Sequence, residues 1–492
     1  MDPAAGPRPR AAAGRDRVFR EYDPGAQYLL PPSVDEWLPG DHQARFVGEA
    51  VDELLDLGPV YASYESAEGA PPYDPSMMLK LLLWGYSCGV TSAREMERRC
   101  ATDVAFRFLA ANQAPDYRSL ARFRRRHLAA VSELFTQVLA LCQEAGLVKL
   151  GRVALDGTKL RANASRHKAM SYGRLGPRIE QLQGEVDRLL AEAERVDRAE
   201  DEAFGEDRRG DELPEGLARR ETRLAKLRAA KAAIEADARD KAEAAARKKA
   251  EATARKKGKG ADGEPPGARP DDDDAAVEAA AAAAREAAAP KTTDQRNFTD
   301  PDARIMKTAD GSFHYAYNGQ AVVDETSQVI VATRVTQAPT DVNQLHPMIA
   351  AMGEQLDAAG LAARPRVLLA DAGYCSEENL APLDGLGFGV LIATGRLKHG
   401  EGIPAAAGDA PPGATLKERM AGLLRTEQGK ADYARRKAIV EPVFGQTKVK
   451  QQAGQLRLRG LAGAAGEFTL HAVAHNLRKL GHALAGPAWA PA

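Results

Sequence analysis

From about Gly176 to Pro290 this 492-residue chain is rich in Ala, Glu, Lys and Arg, and that stretch cuts one apolar strand-like run off from all the others. The run before it is Arg152 to Asp156. The runs after it are His314 to Glu325, Ser327 to Gln337, Pro365 to Asp371 and Gly389 to Thr394. Bounded by turn residues and rich in Val, Ile and aromatics, they read as strands. A single sheet built from them has to carry a long helical insertion. Inside it, Ile179, Leu182, Val186, Leu189 and Val196, then Leu217, Leu224, Leu227 and Ile234, follow a three-four spacing, with Gly and Pro between them. This predicts two antiparallel helices, a coiled-coil hairpin turning near residues 208–215. After about Asp240 the pattern fades into a low-complexity segment expected to be mostly disordered.

The order strand, strand, strand, helix, strand, helix, with Val342 to Ala359 and a segment from Glu377 as the helices, is that of an α/β RNase H-like domain if the strand ending at Asp156 is its first. Upstream, apolar residues fall at helical spacing and predict an all-helical domain. The expected organisation is a mostly disordered or extended arm over 1–40, a helical DNA-binding domain over 41–150, the catalytic domain in two pieces (151–175 and 291–480), the insertion (176–290) and a tail (481–492).

Net charge is −1, which by itself argues against a nucleic-acid partner, but charge is unevenly spread. Between Thr91 and His127 nine arginines face four acids, and between Lys430 and Leu480 ten Lys or Arg face three. Two basic regions flank an acidic middle, which is compatible with binding double-stranded DNA. The segment Tyr117-RSLARFRRRH reads as a helix with Leu120 and Phe123 inward and Arg118, Arg122, Arg125 and Arg126 outward. It resembles the DNA-contacting helix of a helix-turn-helix unit; a solvated basic face is the alternative. No apolar run is long enough for a membrane span and the N-terminus lacks a secretion signal, so a cytoplasmic protein, nucleoid-associated when DNA-bound, is expected. The four cysteines have no paired spacing and read as reduced, mostly buried residues.

Asp156 and Asp371 each end an apolar run and are followed within two residues by glycine. Alone, such an aspartate is more often a turn or cap residue. On neighbouring strands the two would meet at one sheet edge, repel, and accept a hard divalent cation such as Mg²⁺ between them. Lys437, Glu441, Gly445 and Lys448 share one stripe of a helical segment, placing a third carboxylate between two lysines; ordinary surface pairs are the alternative. Pro442 requires that helix to begin near Glu441 or to kink. Lys159, Arg161, Asn163, Arg166, His167 and Lys168 follow the first aspartate as candidate phosphate contacts. Asp324 and Asp341 read as turn or cap residues, and Asp302 as loop structure or a DNA contact. His167 and His475 lack ligand spacing.

The stretches "DGTKLRANASRHKAMSYGRL", "RNFTDPDARIMKT", "LLADAGYCSEENL" and "VEPVFGQTK", with the N-terminal "YDPSMMLKLLLWGYSCGVTSAREMERRC", resemble bacterial DDE transposases of the insertion-sequence family numbered 1182, within the wider group related to insertion sequences 4 and 5. The resemblance covers nearly the whole chain. It implies an RNase H-like core in which Asp156, Asp371 and Glu441 are catalytic and bind two Mg²⁺ ions, with Mn²⁺ able to substitute. It implies terminal inverted repeats and target DNA as partners, and a homodimer or higher assembly in the DNA complex. The family's lysine, seven residues after the glutamate, is Lys448; its arginine position holds Lys437, with Arg436 one residue further away, and its tyrosine position holds Ala434, beside Tyr433. Lys159, Arg161, Arg122, Arg125, Arg126, Arg436, Lys437 and Lys448 are the expected DNA contacts. Rival readings are a catalytically inactive DNA-binding remnant and a divalent-metal nuclease without strand transfer.

Overall fold

The computed structural model describes residues 33–64, 71–165, 168–204, 215–257, 270–395 and 413–485. The expectations for residues 1–32, for the hairpin turn, for Arg166 and His167, and for the end of the tail lie outside the described residues. Among the described residues, no helix is long and apolar enough to cross a membrane.

The N-terminal region is helical. Three of its helices start on an aspartate whose side chain accepts first-turn N–H groups: Asp74 before Pro75–Ser87, Asp103 before Val104–Leu109 and Asp116 before Tyr117–Arg126. Such caps satisfy donors the helix itself cannot, and Pro75 sits where its missing N–H costs nothing. Pro75–Ser87 is buried on almost every side, as an all-round apolar helix must be. It packs on the C-terminal helix Leu461–Ala485, which also lies against Leu128–Glu144 and the sheet. One apolar core therefore runs from Leu38 to Leu480 without a break. The helical region and the sheet share that core.

The strands are β1 (Arg152–Arg161), β2 (Ala169–Ser171), β3 (Gln295–Asn297), β4 (Arg304–Lys307), β5 (Phe313–Asp324), β6 (Ile330–Thr336), β7 (Val367–Ala370) and β8 (Gly389–Ile392). In the main sheet β5 pairs antiparallel with β1 and with β6, while β7 runs parallel to β1 and to β8. The order across it is β6-β5-β1-β7-β8, with β4 continuing along the outer edge of β5. β1 thus lies at the centre, and its near-continuous burial from Val153 to Leu155 reflects cover on both faces.

The insertion leaves and re-enters through a ribbon, in which β2 pairs antiparallel with β3. Its helices Tyr172–Phe204 and Glu215–Lys257 run antiparallel and bury Leu175, Leu182, Leu224, Leu227 and Ile234 in a core of their own. The side chains of Val196 and Leu217 lie outside the described residues. The segment after Asp240 departs from expectation. The helix continues to Lys257, and a third helix, Pro270–Ala287, packs along it through Arg247–Glu278 and Arg285–Asp240 ion pairs at 2.5 and 3.1 Å. Alanine is the strongest helix former, so a tract that looks featureless to hydrophobic periodicity still forms helix.

Candidate active site

The parallel register of β1 with β7 pairs Leu155 with Ala370, so the next residue of each chain is an aspartate: Asp156 and Asp371 emerge side by side. Asp156 does not end its strand, as the sequence suggested. β1 continues to Arg161 against β5, and only the parallel ladder with β7 stops at the aspartates. Asp371 caps the short turn Ala372–Tyr374 through the Gly373 N–H, at 2.8 Å.

Arg436 closes the site from the helix Arg436–Gly445. Its Nη1 donates to Asp156 Oδ2 at 3.0 Å, and the Asp156 Oδ1 accepts its neighbour's N–H from Gly157. Burial pushes the Asp156 carboxyl up; the Arg436 guanidinium pulls it back, and the Asp371 charge adds to the rise. Of the two cations offered by the sequence before Glu441, Arg436 is the one at the site; Lys437 is exposed. Tyr433 lies alongside, donating to the Ala370 carbonyl at 3.2 Å.

The helix runs through Pro442 instead of starting or breaking there. Proline leaves the carbonyl four residues back without its donor, and the Gln328 side-chain amide supplies one, donating to Ala438 O at 3.1 Å. After Gly445 the helix widens into a π-turn, Gln446–Lys450, whose different phase carries Lys448 off the exposed stripe of Lys437 and Glu441. Lys448 is half-buried beside Lys159. Burial and then that like charge hold its ammonium below the usual lysine range, while Asp156 opposes them. Lys159 is likewise lowered by burial, against the pull of Asp341, Asp156 and Asp371.

Glu441 is not gathered with the aspartates. It lies one residue round the helix from buried Val440 and is exposed, and among the described residues no three Asp, Glu, His or Cys side chains stand close enough to share a metal ion. Five residues separate Arg436 from Glu441, about 500° of helical rotation, so the two cannot face the same way.

The acid that the structure does bring in is Asp341, which sequence reasoning treated as a cap. The helix it precedes starts instead at Leu345, with Gln344 as its N-cap. The Asp341 Oδ1 accepts from Asn318 Nδ2 (2.6 Å), Gln320 Nε2 (2.7 Å) and Lys159 Nζ (3.5 Å). Gln320 in turn accepts the hydroxyl of buried Tyr374. A Cβ on Gly157 would meet Asp341 Oδ1 at 2.6 Å and Gln320 Nε2 at 2.4 Å, which gives the glycine after Asp156 its reason. The sequence did hold a signal: Asn318 and Gln320 are amides in the middle of β5, both are fully buried, and buried amides require partners.

Arg161 is exposed at the far end of β1. Arg122, Arg125 and Arg126 all lie exposed on Tyr117–Arg126, as expected, and Arg126 also stacks on Tyr64 at 4.6 Å and donates to the Ser63 carbonyl. Arg124 is buried and donates to Tyr86 Oη and Thr91 O, both at 2.8 Å. Asp324 and Asp302 are structural, accepting N–H groups from Thr326 and from Leu461. His475 is buried against the Gln328 carbonyl; of the four cysteines, Cys100 and Cys142 are buried, Cys375 is half-buried and Cys88 is exposed.

Two oxygen donors on adjacent strands, one of them strongly desolvated, fit a hard divalent cation in donor chemistry. Residues 32–126 match the profile of a transposase domain (DUF772), and residues 288–477 that of a transposase DDE domain. No curated protein and no solved structure matches the chain. Asp371 and Glu441 fall inside the second match; Asp156 lies outside both and joins Asp371 only through the sheet.

Proposed function

We propose, on the premise that the two matched domains together indicate a DDE transposase of a mobile element, that this chain binds the terminal inverted repeats of an insertion sequence and catalyses Mg²⁺-dependent DNA cleavage and strand transfer. The observation that carries the reading is the juxtaposition of Asp156 and Asp371 by the parallel β1–β7 register, with Arg436 on one of them. The sheet order, antiparallel on one side of β1 and parallel on the other, supports an RNase H-like core, and the motifs shared with insertion-sequence 1182 transposases support that subgroup.

Asp156 and Asp371 would hold Mg²⁺, or Mn²⁺ in its place; Glu441, exposed on its helix, does not join them in this arrangement. Bound there, the divalent ions supply activation of a water or 3′-hydroxyl and stabilisation of the leaving oxygen. Arg436 orients Asp156 and pulls its carboxyl back down against the rise that burial imposes. Lys159 and Lys448, both beside Asp156, present cations to the phosphate being cut. Asp341 holds Lys159 in place, with its own charge spread over two amide donors. Two element ends have to be processed together, which supports a homodimer or larger complex on DNA.

The test uses duplex from the ends of the element that encodes the chain, with Mg²⁺ or EDTA. Mg²⁺-dependent nicks at the element boundary and joined products, both lost in Asp371→Asn, are expected. Cleavage without joining would point to a plain nuclease, and binding indifferent to any divalent ion to an inactive remnant.

A further inference from the structure

A groove of about 520 Å³ lies where the helical region meets the sheet domain, with neither aspartate in its lining. One wall is the helix Tyr117–Arg126, through Ala121, Arg124 and Arg125; the other is formed by Asn163, just beyond β1, and by Arg457 and Arg459. That second wall is firmly built. The segment runs beside the end of β1, with Arg161 N–H donating to Gly454 O and Leu456 N–H to Arg161 O. Glu467, fully buried, accepts the N–H groups of Arg457 and Leu458 at 2.8 and 2.7 Å. Leu458 is thereby turned inward, and Arg457 and Arg459 on either side of it are left exposed. Asn163 fixes them further, donating to Arg457 O at 2.7 Å and accepting from Arg459 Nε at 3.1 Å through its carbonyl.

Arg125, Arg457 and Arg459 have no acidic partner among the described residues, and no acid lines the groove. Their neutral contacts orient the guanidinium groups without discharging them. Cations strung along an open groove, in place of a closed cradle around one ion, suit a polyanion, whose binding releases counterions. We infer that this groove holds the phosphodiester backbone of duplex DNA, with Arg125 contacting it from the helical region and Arg457 and Arg459 from the sheet domain. The inference rests on the DNA-binding reading above and adds to it a site contributed by both matched domains. DNA seated there bridges the helix that would read sequence and the strand that carries Asp156, since Asn163 lies seven residues along the chain from that aspartate.

The experiment measures affinity of the full chain for a random-sequence duplex over a series of KCl concentrations, alongside Mg²⁺-dependent nicking of the element-end duplex. Replacing Arg125, Arg457 and Arg459 singly by Gln is expected to lower the slope of log affinity against log salt by about 1 each, and the triple variant by about 3. The triple Lys variant, which keeps the charges, should restore the slope and shows that the fold tolerates change there. Nicking by the wild type with an unchanged slope in the triple Gln variant would overturn the groove alone. An arginine-dependent slope without nicking would overturn the catalytic reading alone, and a wild type that binds no DNA would overturn both.

Discussion

The parallel ladder between β1 and β7 carries opposite charge arrangements at its two ends. At their N-terminal ends Arg152 and Arg366 converge on one buried carboxylate, Asp432, which takes Arg152 Nε at 2.6 Å, both Arg366 Nη atoms at 3.0 and 2.7 Å, and the Gln428 amide. Glu325 completes that end, shared between Arg152 and Arg435. Where the ladder stops at the other end the polarity is inverted: two carboxylates stand side by side, and one arginine, Arg436, bonds Asp156. The first arrangement is discharged, with every oxygen of Asp432 occupied by a donor. The second retains negative charge in a place that burial has made unfavourable for it. The same kinds of charged side chain thus make a clamp at one end and a cation-seeking site at the other, and only the second is expected to depend on something the chain itself does not supply.

The largest effect that would sharpen this contrast is on catalysis. Asp156→Asn or Asp371→Asn should lower Mg²⁺-dependent nicking by about a thousandfold or more, with a melting temperature close to that of the wild type; a mutant that unfolds would make the site a second clamp. Mg²⁺ titration should raise the melting temperature of the wild type and leave Asp371→Asn unmoved. The converse substitution, Asp432→Ala, leaves two arginines facing a buried void and should cost about 3 kcal/mol by chemical denaturation. It should spare nicking per folded molecule.

A pH series separates the ends again. The Arg366 guanidinium beside Asp432, with the Gln428 and Arg152 hydrogen bonds, holds its carboxyl well below the usual range. The stability it contributes is present above the unfolded-state carboxylate value of about 4 and is lost as the pH falls below that, so acid should weaken the wild type more than Asp432→Asn. Asp341→Asn, which loosens Lys159 without touching the aspartate pair, should reduce nicking by about 10- to 100-fold with little change in affinity for DNA. Comparing Glu441→Gln in the same assay decides whether the exposed glutamate belongs to the chemistry at all; wild-type rates would remove it. The smallest effect is that of Lys448→Ala, a fall of about 1 in the salt slope of binding.

Much of this was legible in the sequence because strands carry their signal locally. The apolar runs at Val153 and Val367 and the aspartates that follow them fixed which residues would meet, given only that the strands are neighbours. What the sequence hid was phase and distance. The π-turn at Gln446–Lys450 and the tolerance of Pro442 decide which side chains of one helix face inward, and neither leaves a periodic trace; Arg436 was therefore undecided against Lys437, and Glu441 was placed with the aspartates. Asp341 and Arg457 were missed for another reason. Each takes its role from chain far away in sequence, Asp341 from β5 and Arg457 from Glu467 and Asn163, so no window around either residue contains the cause.

The two-stranded ribbon β2–β3 has a consequence for how such a chain can change. Tyr172 N–H donates to Asp294 O at 2.7 Å, so the polypeptide returns to the point at which it departed. Topologically the whole helical excursion is equivalent to the tip of a hairpin. Its length is decoupled from the geometry of the sheet, and lineages are free to shorten, lengthen or exchange it as a cassette while the aspartates keep their register.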